Sequence, residues 1–281
     1  MLSKTDHDGR LVAMIDVALA AGGHTLKYFQ SSDLDVDAKS DDSPVTIADR
    51  EAEQRTRQLL AASFPDDTVQ GEEFATTEGN NAYRWIVDPI DGTKSFVCGV
   101  PLYSTLLALE WNDQPLGGVI YIPALGEIIA AAKGQGSWYA RGLPRDAERP
   151  ITAADAVWAR AAVSKKTRIG EAVFVSSQVD SFATRGAGPA YLDLERECWI
   201  TRTWGDGYGY LMVATGRAEI MIDPECNAWD VAAILPIIEE AGGRFSDWRG
   251  NATTRGGEGV GTNGYLHDAV LDRLSPDAHA Q

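Results

Sequence analysis

The chain has 281 residues, 44% of them hydrophobic and 9% aromatic, which is enough to bury a large core as one compact unit or two closely fused halves. Its formal charge of −16 argues against nonspecific binding to nucleic acid or to an anionic membrane surface, because the long-range field repels both. Cys98, Cys198 and Cys226 are odd in number, widely spaced and free of any CxxC, so they exclude a disulfide framework or zinc knuckle and read as free thiols of a cytoplasmic protein.

Met1–Asp8 is polar and acidic, unlike a signal peptide, and no apolar stretch reaches membrane-spanning length. Leu11, Ile15, Leu19, Leu26 and Phe29 lie at near-helical spacing and predict an amphipathic helix over residues 10–29, despite Gly22-Gly23. A loop rich in Asp and Ser carries Lys39 and ends at Pro44. Residues 47–64 read as a second helix, stopped by Pro65-Asp66-Asp67. Val69 then leads through Gln70-Gly71 into Glu72-Glu73.

The apolar run Trp85-Ile86-Val87 ends in Asp88-Pro89-Ile90-Asp91-Gly92-Thr93. Pro89 breaks the strand ladder, and Gly92-Thr93 offers free backbone N–H groups of the kind that bind phosphate oxygens. Two aspartates straddling a proline turn can aim at cations about 4 Å apart, the separation used by two-metal phosphatases. An isolated Asp-Gly merely closes a strand through an Asx turn. Here Glu72 and Glu73 upstream and Asp230 downstream complete a ring of oxygen donors, and hard oxygen ligands select Mg²⁺ or Mn²⁺ over zinc.

Residues 105–109, 116–122 and 127–132 form a β-meander separated by Asn112-Asp113 and Pro123-Ala124. Further on, the pattern predicts a strand over 161–164, a helix over 169–175, a loop at Gly186-Ala187-Gly188-Pro189 and a helix over 208–216. A strand over 218–222, a helix over 229–241 and a strand over 243–247 follow. The fold class is α+β in residues 1–149, which carry most metal-ligand candidates, and α/β in residues 150–281, which carry Asp230 and substrate contacts. The tail after Leu274 is polar and is expected to fray. Asp223 ends the 218–222 strand, where an open α/β sheet presents ligand contacts, and Asp206 and Glu225 are its candidate helpers.

Gly71-Glu72-Glu73, Asp88-Pro89-Ile90-Asp91-Gly92-Thr93 and Trp229-Asp230-Val231-Ala232-Ala233, in that order and spacing, resemble the inositol monophosphatase superfamily of Mg²⁺-dependent, lithium-sensitive phosphatases. The likeness extends to Ser43-Pro44-Val45-Thr46-Ile47-Ala48-Asp49 and Glu240-Ala241-Gly242-Gly243, nearly the whole chain. Residues 94–109, Arg202–Tyr210 and Asp223-Pro224-Glu225 are most similar to the histidinol-phosphate phosphatase branch. Inositol phosphatases usually carry Asn where Lys94 stands.

The resemblance implies a layered αβαβα sandwich of the inositol monophosphatase / fructose bisphosphatase type, with the active site between the halves, and a homodimer. It implies two or three Mg²⁺ ions, with Mn²⁺ as a substitute. Glu72, Asp88 and the Ile90 carbonyl resemble the first ion's ligands; Asp88, Asp91 and Asp230 resemble the second's. Thr93, hydrogen-bonded to Asp49, resembles the pair that orients the attacking water, while Glu72 lies near a possible third ion and Lys39 matches a phosphate or third-metal contact. Gly92 and Thr93 would hold the phosphate, and Asp206 and Asp223 the leaving group.

The activity so implied is hydrolysis of a small phosphate monoester, histidinol phosphate first. Inositol 1-phosphate or a nucleotide 3′-phosphate is the alternative within the superfamily. A Mg²⁺-binding regulatory pseudo-phosphatase would not need Thr93 or Asp49, and both are present.

Overall fold

In the computed structural model of the protein the described residues are 1–3, 6–32, 34, 36–38, 44–145 and 150–274. Lys39 and Ser43, both singled out above, lie outside them. Helix α1 (Arg10–Thr25) and helix α2 (Ile47–Ser63) pack against each other. Between them, β1 (Val36–Ala38) and β2 (Pro44–Thr46) form a small antiparallel pair. Helix α1 ends at Thr25, earlier than predicted, and Tyr28 and Phe29 follow in turns that return to the Thr25 carbonyl. Gly22 stays inside α1 for a packing reason: a Cβ there would come 2.5 Å from Cδ1 of Tyr121.

A seven-stranded sheet follows: β3 (Thr68–Gly71), β4 (Tyr83–Asp91), β5 (Ser104–Trp111), β6 (Gln114–Ile122), β7 (Glu127–Ala132), β8 (Gly136–Arg141) and β9 (Ala159–Arg160), in that order across the sheet. β3 and β4 are parallel, and the rest is the predicted meander extended by β8 and β9. The last strand lies beyond residue 150. Helix α3 (Thr93–Val97) directly follows β4.

The remaining strands, β10 (Val173–Ser176), β11 (Ile200–Arg202), β12 (Ile220–Asp223), β13 (Arg244–Ser246) and β14 (Gly259–Thr262), form a five-stranded sheet in the order β11-β10-β12-β14-β13. Its helices are α4 (Val179–Thr184), α5 (Gly188–Glu197), α6 (Gly207–Ala214), α7 (Ala228–Val231), α8 (Ile234–Glu240) and α9 (His267–Leu274).

Alternation along the strands builds the layers, because successive side chains point to opposite faces. Trp85 and Val87 join Leu11, Met14, Ile15 and Leu19 beneath α1, whereas Ile86 between them joins Leu211, Val213, Ile234 and Ile237 of α6 and α8. The second sheet repeats the device: Val173 and Val175 face that same middle layer, and Phe174 faces Phe182, Tyr191 and Leu194 of the outer helices. The result is an αβαβα sandwich.

Several predicted elements are corrected. Residues 169–175 are a 3₁₀ turn (Ile169–Glu171) followed by β10, since Val-Phe-Val takes the strand that three alternating apolar residues favour. Residues 161–164 form no strand: Ala161 donates to Ser137 O and Val163 to Ala241 O, so the segment is pinned to two different elements. The Gly188-Pro189 pair opens α5, because proline is tolerated in a helix's first turn. The long helix expected over 229–241 divides into α7 and α8, and Pro236, which has no N–H for the Ala232 carbonyl, sits just past the break. Gly118 of β6 lies directly against this break, where a Cβ would come 2.2 Å from Ala233 O.

Candidate active site

Both halves of the chain deliver carboxylates to one place. Strand β4 is buried along its second half and carries Asp88 and Asp91 to its end. Against β5, Asp88 pairs with Leu106 and Asp91 with Ser104, with a register shift between them. Helix α7 supplies Asp230 from its first turn, where Oδ2 accepts the Asn227 N–H at 2.6 Å. Ligand oxygens of Asp88, Asp91 and Asp230 lie within 4.8 Å of one another.

Each aspartate is oriented by its own neighbours. Asp91 Oδ2 accepts the Ser104 hydroxyl and, at 2.7 Å, the Gly207 N–H that opens α6. Gly207 has no room for a side chain, since a Cβ would meet Ser104 Oγ at 2.3 Å and Asp91 Oδ2 at 2.8 Å. Asp88 Oδ1 accepts the Ile90 N–H at 3.1 Å. Among the described residues no lysine or arginine forms an ion pair with any of the three.

That lack of compensation is visible in their protonation. Burial, then Glu72, Asp91 and Asp230, hold Asp88 well above the usual carboxylate range. Burial, then Asp206 and Asp230, do the same to Asp91. Asp230 is pushed up to about 6, chiefly by burial. Converging carboxylates disfavour one another's charge, so the cluster is complementary to a multivalent cation bound through oxygen. An all-oxygen set of this kind fits a hard ion such as Mg²⁺, and Ile90 lines the same cleft.

Glu72 follows β3, its N–H donating to Val87 O, and it lines the cleft beside Asp88. A residue that sequence reasoning missed holds this turn in place. Glu53 on α2 is fully buried, accepts the Glu73 N–H at 2.8 Å and Arg57 Nε at 2.8 Å, and fills the space where a side chain on Gly71 would go. The Glu53/Arg57 spacing reads in sequence as a surface i,i+4 pair, which hid it.

Asp49 is buried and its Oδ2 accepts both the N–H and the hydroxyl of Thr46, at 2.8 and 2.6 Å, which caps α2. Burial raises its pKa, and the nearby charge of Glu72 adds to the shift. The expected Thr93–Asp49 hydrogen bond is replaced: the Thr93 hydroxyl donates to Ile90 O at 3.1 Å, an acceptor three residues back in the same turn. Gly92 has φ +79°, and the bare backbone lets Asp206 approach to where a Cβ would be 2.6 Å from its Oδ2.

Asp206 precedes α6 and is raised by burial, opposed by Lys94. Asp223 ends β12 and is pushed up to about 7 by burial, then by Asp206. With Glu225 and Ser177 these residues line the cleft of ≈ 140 Å³ that holds the carboxylate cluster. It opens into an outer cleft of ≈ 440 Å³ that shares Asp206, Ser177 and Glu225 and adds Ser181 and the contacting pair Lys94–Gln178. Glu225 also accepts from the Ser181 hydroxyl at 3.4 Å. Ser177 and Ser181 had no sequence signal, since serines outside a motif carry none.

The fold and this cluster define a phosphoric monoester hydrolase. The inositol monophosphatase family model matches residues 7–277, and the chain belongs to that family. It is 40% identical to a histidinol-phosphatase of Chlorobaculum parvum over 88% of each chain. It is 38% identical to a histidinol-phosphatase of Mycobacterium tuberculosis, covering 96% of this chain and 98% of that one. Among solved structures it is similar to an inositol monophosphatase of Thermotoga maritima, with TM-score 0.79 and 28% identity over 94% of this chain and 96% of that one.

Proposed function

We propose that the protein is a Mg²⁺-dependent histidinol-phosphate phosphatase. The observation that carries the substrate is the cleft wall: Asp206, Glu225 and, deeper, Asp223 line it with carboxylates, and in this reading the alcohol of the ester lies against them. Histidinol carries an ammonium and an imidazole, so an acid-lined wall suits it and gains charge-assisted hydrogen bonds. The histidinol-phosphatases to which the chain is similar support the same reading.

In this reading Glu72, Asp88, Asp91, Asp230 and the Ile90 carbonyl hold the metal, two or three ions, with Mn²⁺ as a substitute. The bound metal supplies an acidified nucleophilic water and charge stabilisation for the leaving oxygen. Glu72 and Asp49 orient and accept from the attacking water, and Thr93 sets the edge of that position through its bond to Ile90. N–H groups of Gly92 and Thr93 hold the phosphoryl oxygens. Asp223, Asp206 and Glu225 bind the leaving alcohol. Lys39 is proposed as a further phosphate contact. We take the chain to divide into two halves near residues 149 and 150, with the reaction between them.

We further take the protein to act as a cytoplasmic, lithium-sensitive homodimer on small phosphate monoesters; among the described residues no helix is long and apolar enough to cross a membrane. Phosphate release measured over histidinol phosphate, inositol 1-phosphate, 3′-phosphoadenosine 5′-phosphate and fructose 1,6-bisphosphate tests the substrate. Histidinol phosphate is expected to give the highest kcat/KM. A preference for inositol 1-phosphate would overturn the substrate while leaving the phosphatase in place.

A further inference from the structure

A second cleft, of ≈ 400 Å³, lies beside α1 and α2, and Asp88, Asp91 and Asp230 take no part in its lining. Its volume falls within the range of small-molecule sites, roughly 300–1,000 Å³. The cationic groups along it are Lys27, Arg55 and Arg145. In a chain with 41 acidic and 25 basic residues such a grouping is unexpected, because most arginines here are neutralised by a carboxylate, as Arg10 is by Asp67 and Arg57 by Glu53.

The two cleft arginines are held differently. Arg55 Nε donates to Ala20 O at 3.2 Å and Arg145 Nη1 to Ala124 O at 2.9 Å, so both guanidinium groups are oriented by backbone carbonyls. Neither forms an ion pair among the described residues. The carboxylate beside the cleft, Glu51, is already taken by His24 Nε2 at 2.7 Å and the Tyr28 hydroxyl at 2.6 Å. Two guanidinium groups oriented by carbonyls and free of ion pairs among the described residues make a site for an oxyanion.

The lining also contains an orphaned polar group. Tyr121 is fully buried, lines the cleft, and its hydroxyl has no hydrogen-bond partner among the described residues. Leu19, Leu26 and Ile151 supply apolar wall. The volume exceeds what an inorganic anion fills.

We propose that this cleft is a binding site for a small phosphate ester with an apolar or aromatic body, separate from the catalytic site. Arg55 and Arg145 receive the phosphate, and Leu19, Leu26 and Ile151 receive the rest.

The test uses the full chain in excess chelator, where the uncompensated carboxylate cluster repels anions and the ester cannot be turned over. Phenyl phosphate and inorganic phosphate are titrated by calorimetry. Saturable binding of phenyl phosphate is expected, at least about tenfold tighter than that of inorganic phosphate. The double variant Arg55→Gln/Arg145→Gln should weaken it by about tenfold or more. Gly23→Glu provides an independent check: a Cβ at Gly23 meets nothing within 4 Å, so the helix accepts the side chain while its carboxylate occupies the cleft. Asp91→Asn should leave this binding unchanged. The proposal is overturned if phenyl phosphate does not saturate, if it binds no tighter than inorganic phosphate, if both cleft variants bind as the wild type does, or if Asp91→Asn alters the affinity.

Discussion

Asp88 and Asp91 are three residues apart on β4, yet their partners on β5, Leu106 and Ser104, are only two apart. Side chains an odd number of residues apart point to opposite faces of a regular strand. The one extra residue of the bulge cancels that alternation, so both carboxylates reach the same cluster. A straight β4 would leave one of them in the core.

The first prediction follows from this geometry. Asp91→Asn keeps an acceptor for Ser104 and Gly207 but removes one of three crowded charges. We expect kcat to fall by roughly a hundredfold or more, about 2.7 kcal/mol of transition-state stabilisation. The metal-free protein should melt at the same temperature as the wild type or higher, because repulsion is relieved. Unfolding of the variant on expression would make Asp91 a structural residue.

Metal dependence is the second. Chelation should abolish phosphate release, Mg²⁺ or Mn²⁺ should restore it, and Ca²⁺ should inhibit, since its longer and looser coordination misplaces the water. Full turnover in excess chelator would remove the metal from the reaction.

Substrate discrimination should reside in the acidic wall. Asp223→Asn is expected to lower kcat/KM for histidinol phosphate by about ten- to a hundredfold, the worth of a charge-assisted hydrogen bond of about 1.5–3 kcal/mol. Hydrolysis of a neutral-alcohol phosphate should change much less. Equal losses on both esters would take Asp223 out of substrate recognition.

Far from the site, Asp67 is buried and accepts from Arg10 Nε and Nη2 at 2.8 Å each, from Asn81 at 2.7 Å and from Trp85 Nε1 at 2.9 Å. Asp67→Ala leaves Arg10 with only the exposed Asp8 as counter-charge, and we expect a loss of about 3–5 kcal/mol in denaturant unfolding with kcat per folded molecule unchanged. A loss under about 1 kcal/mol would mean that Arg10 relaxes to water.

His267 provides a pH signature. It is fully buried between Ser246 Oγ at 2.9 Å and Thr262 Oγ1 at 3.1 Å, and burial lowers its pKa to about 4. The unfolded chain protonates it near 6.5, so its contribution is intact above that pH and is lost as pH falls from 6.5 to 4. About 3 kcal/mol is at stake across that window. Stability curves of wild type and His267→Gln should differ in slope between pH 6.5 and 4; parallel curves would contradict the assignment.

The sequence discloses most where one physical demand dominates a segment. Trp85-Ile86-Val87-Asp88 is legible because a strand buried on both faces must be apolar until it meets the site, and the meander because its turns punctuate it. Glu53 is illegible because its decisive partner, the Glu73 N–H twenty residues on, reaches it only in the folded chain. The Thr93–Asp49 bond gives way to a local one, because the Ile90 carbonyl lies only three residues back from Thr93. Val173–Ser176 is too short for periodicity to separate strand from helix.

Gly118 touches neither the carboxylates nor the outer cleft, yet it sets the width of the reaction site. Its bare backbone lies against Ala233, three residues after Asp230, while the sheet it belongs to carries Asp88 and Asp91. The span between the ligands of the two halves is therefore gauged by a contact with no chemistry of its own. Thickening that contact by a single methyl group would shift Asp230 relative to its partners, and a displacement of about 1 Å is enough to cost catalysis. A lesion there would present as weakened metal affinity in a protein whose ligands are all intact.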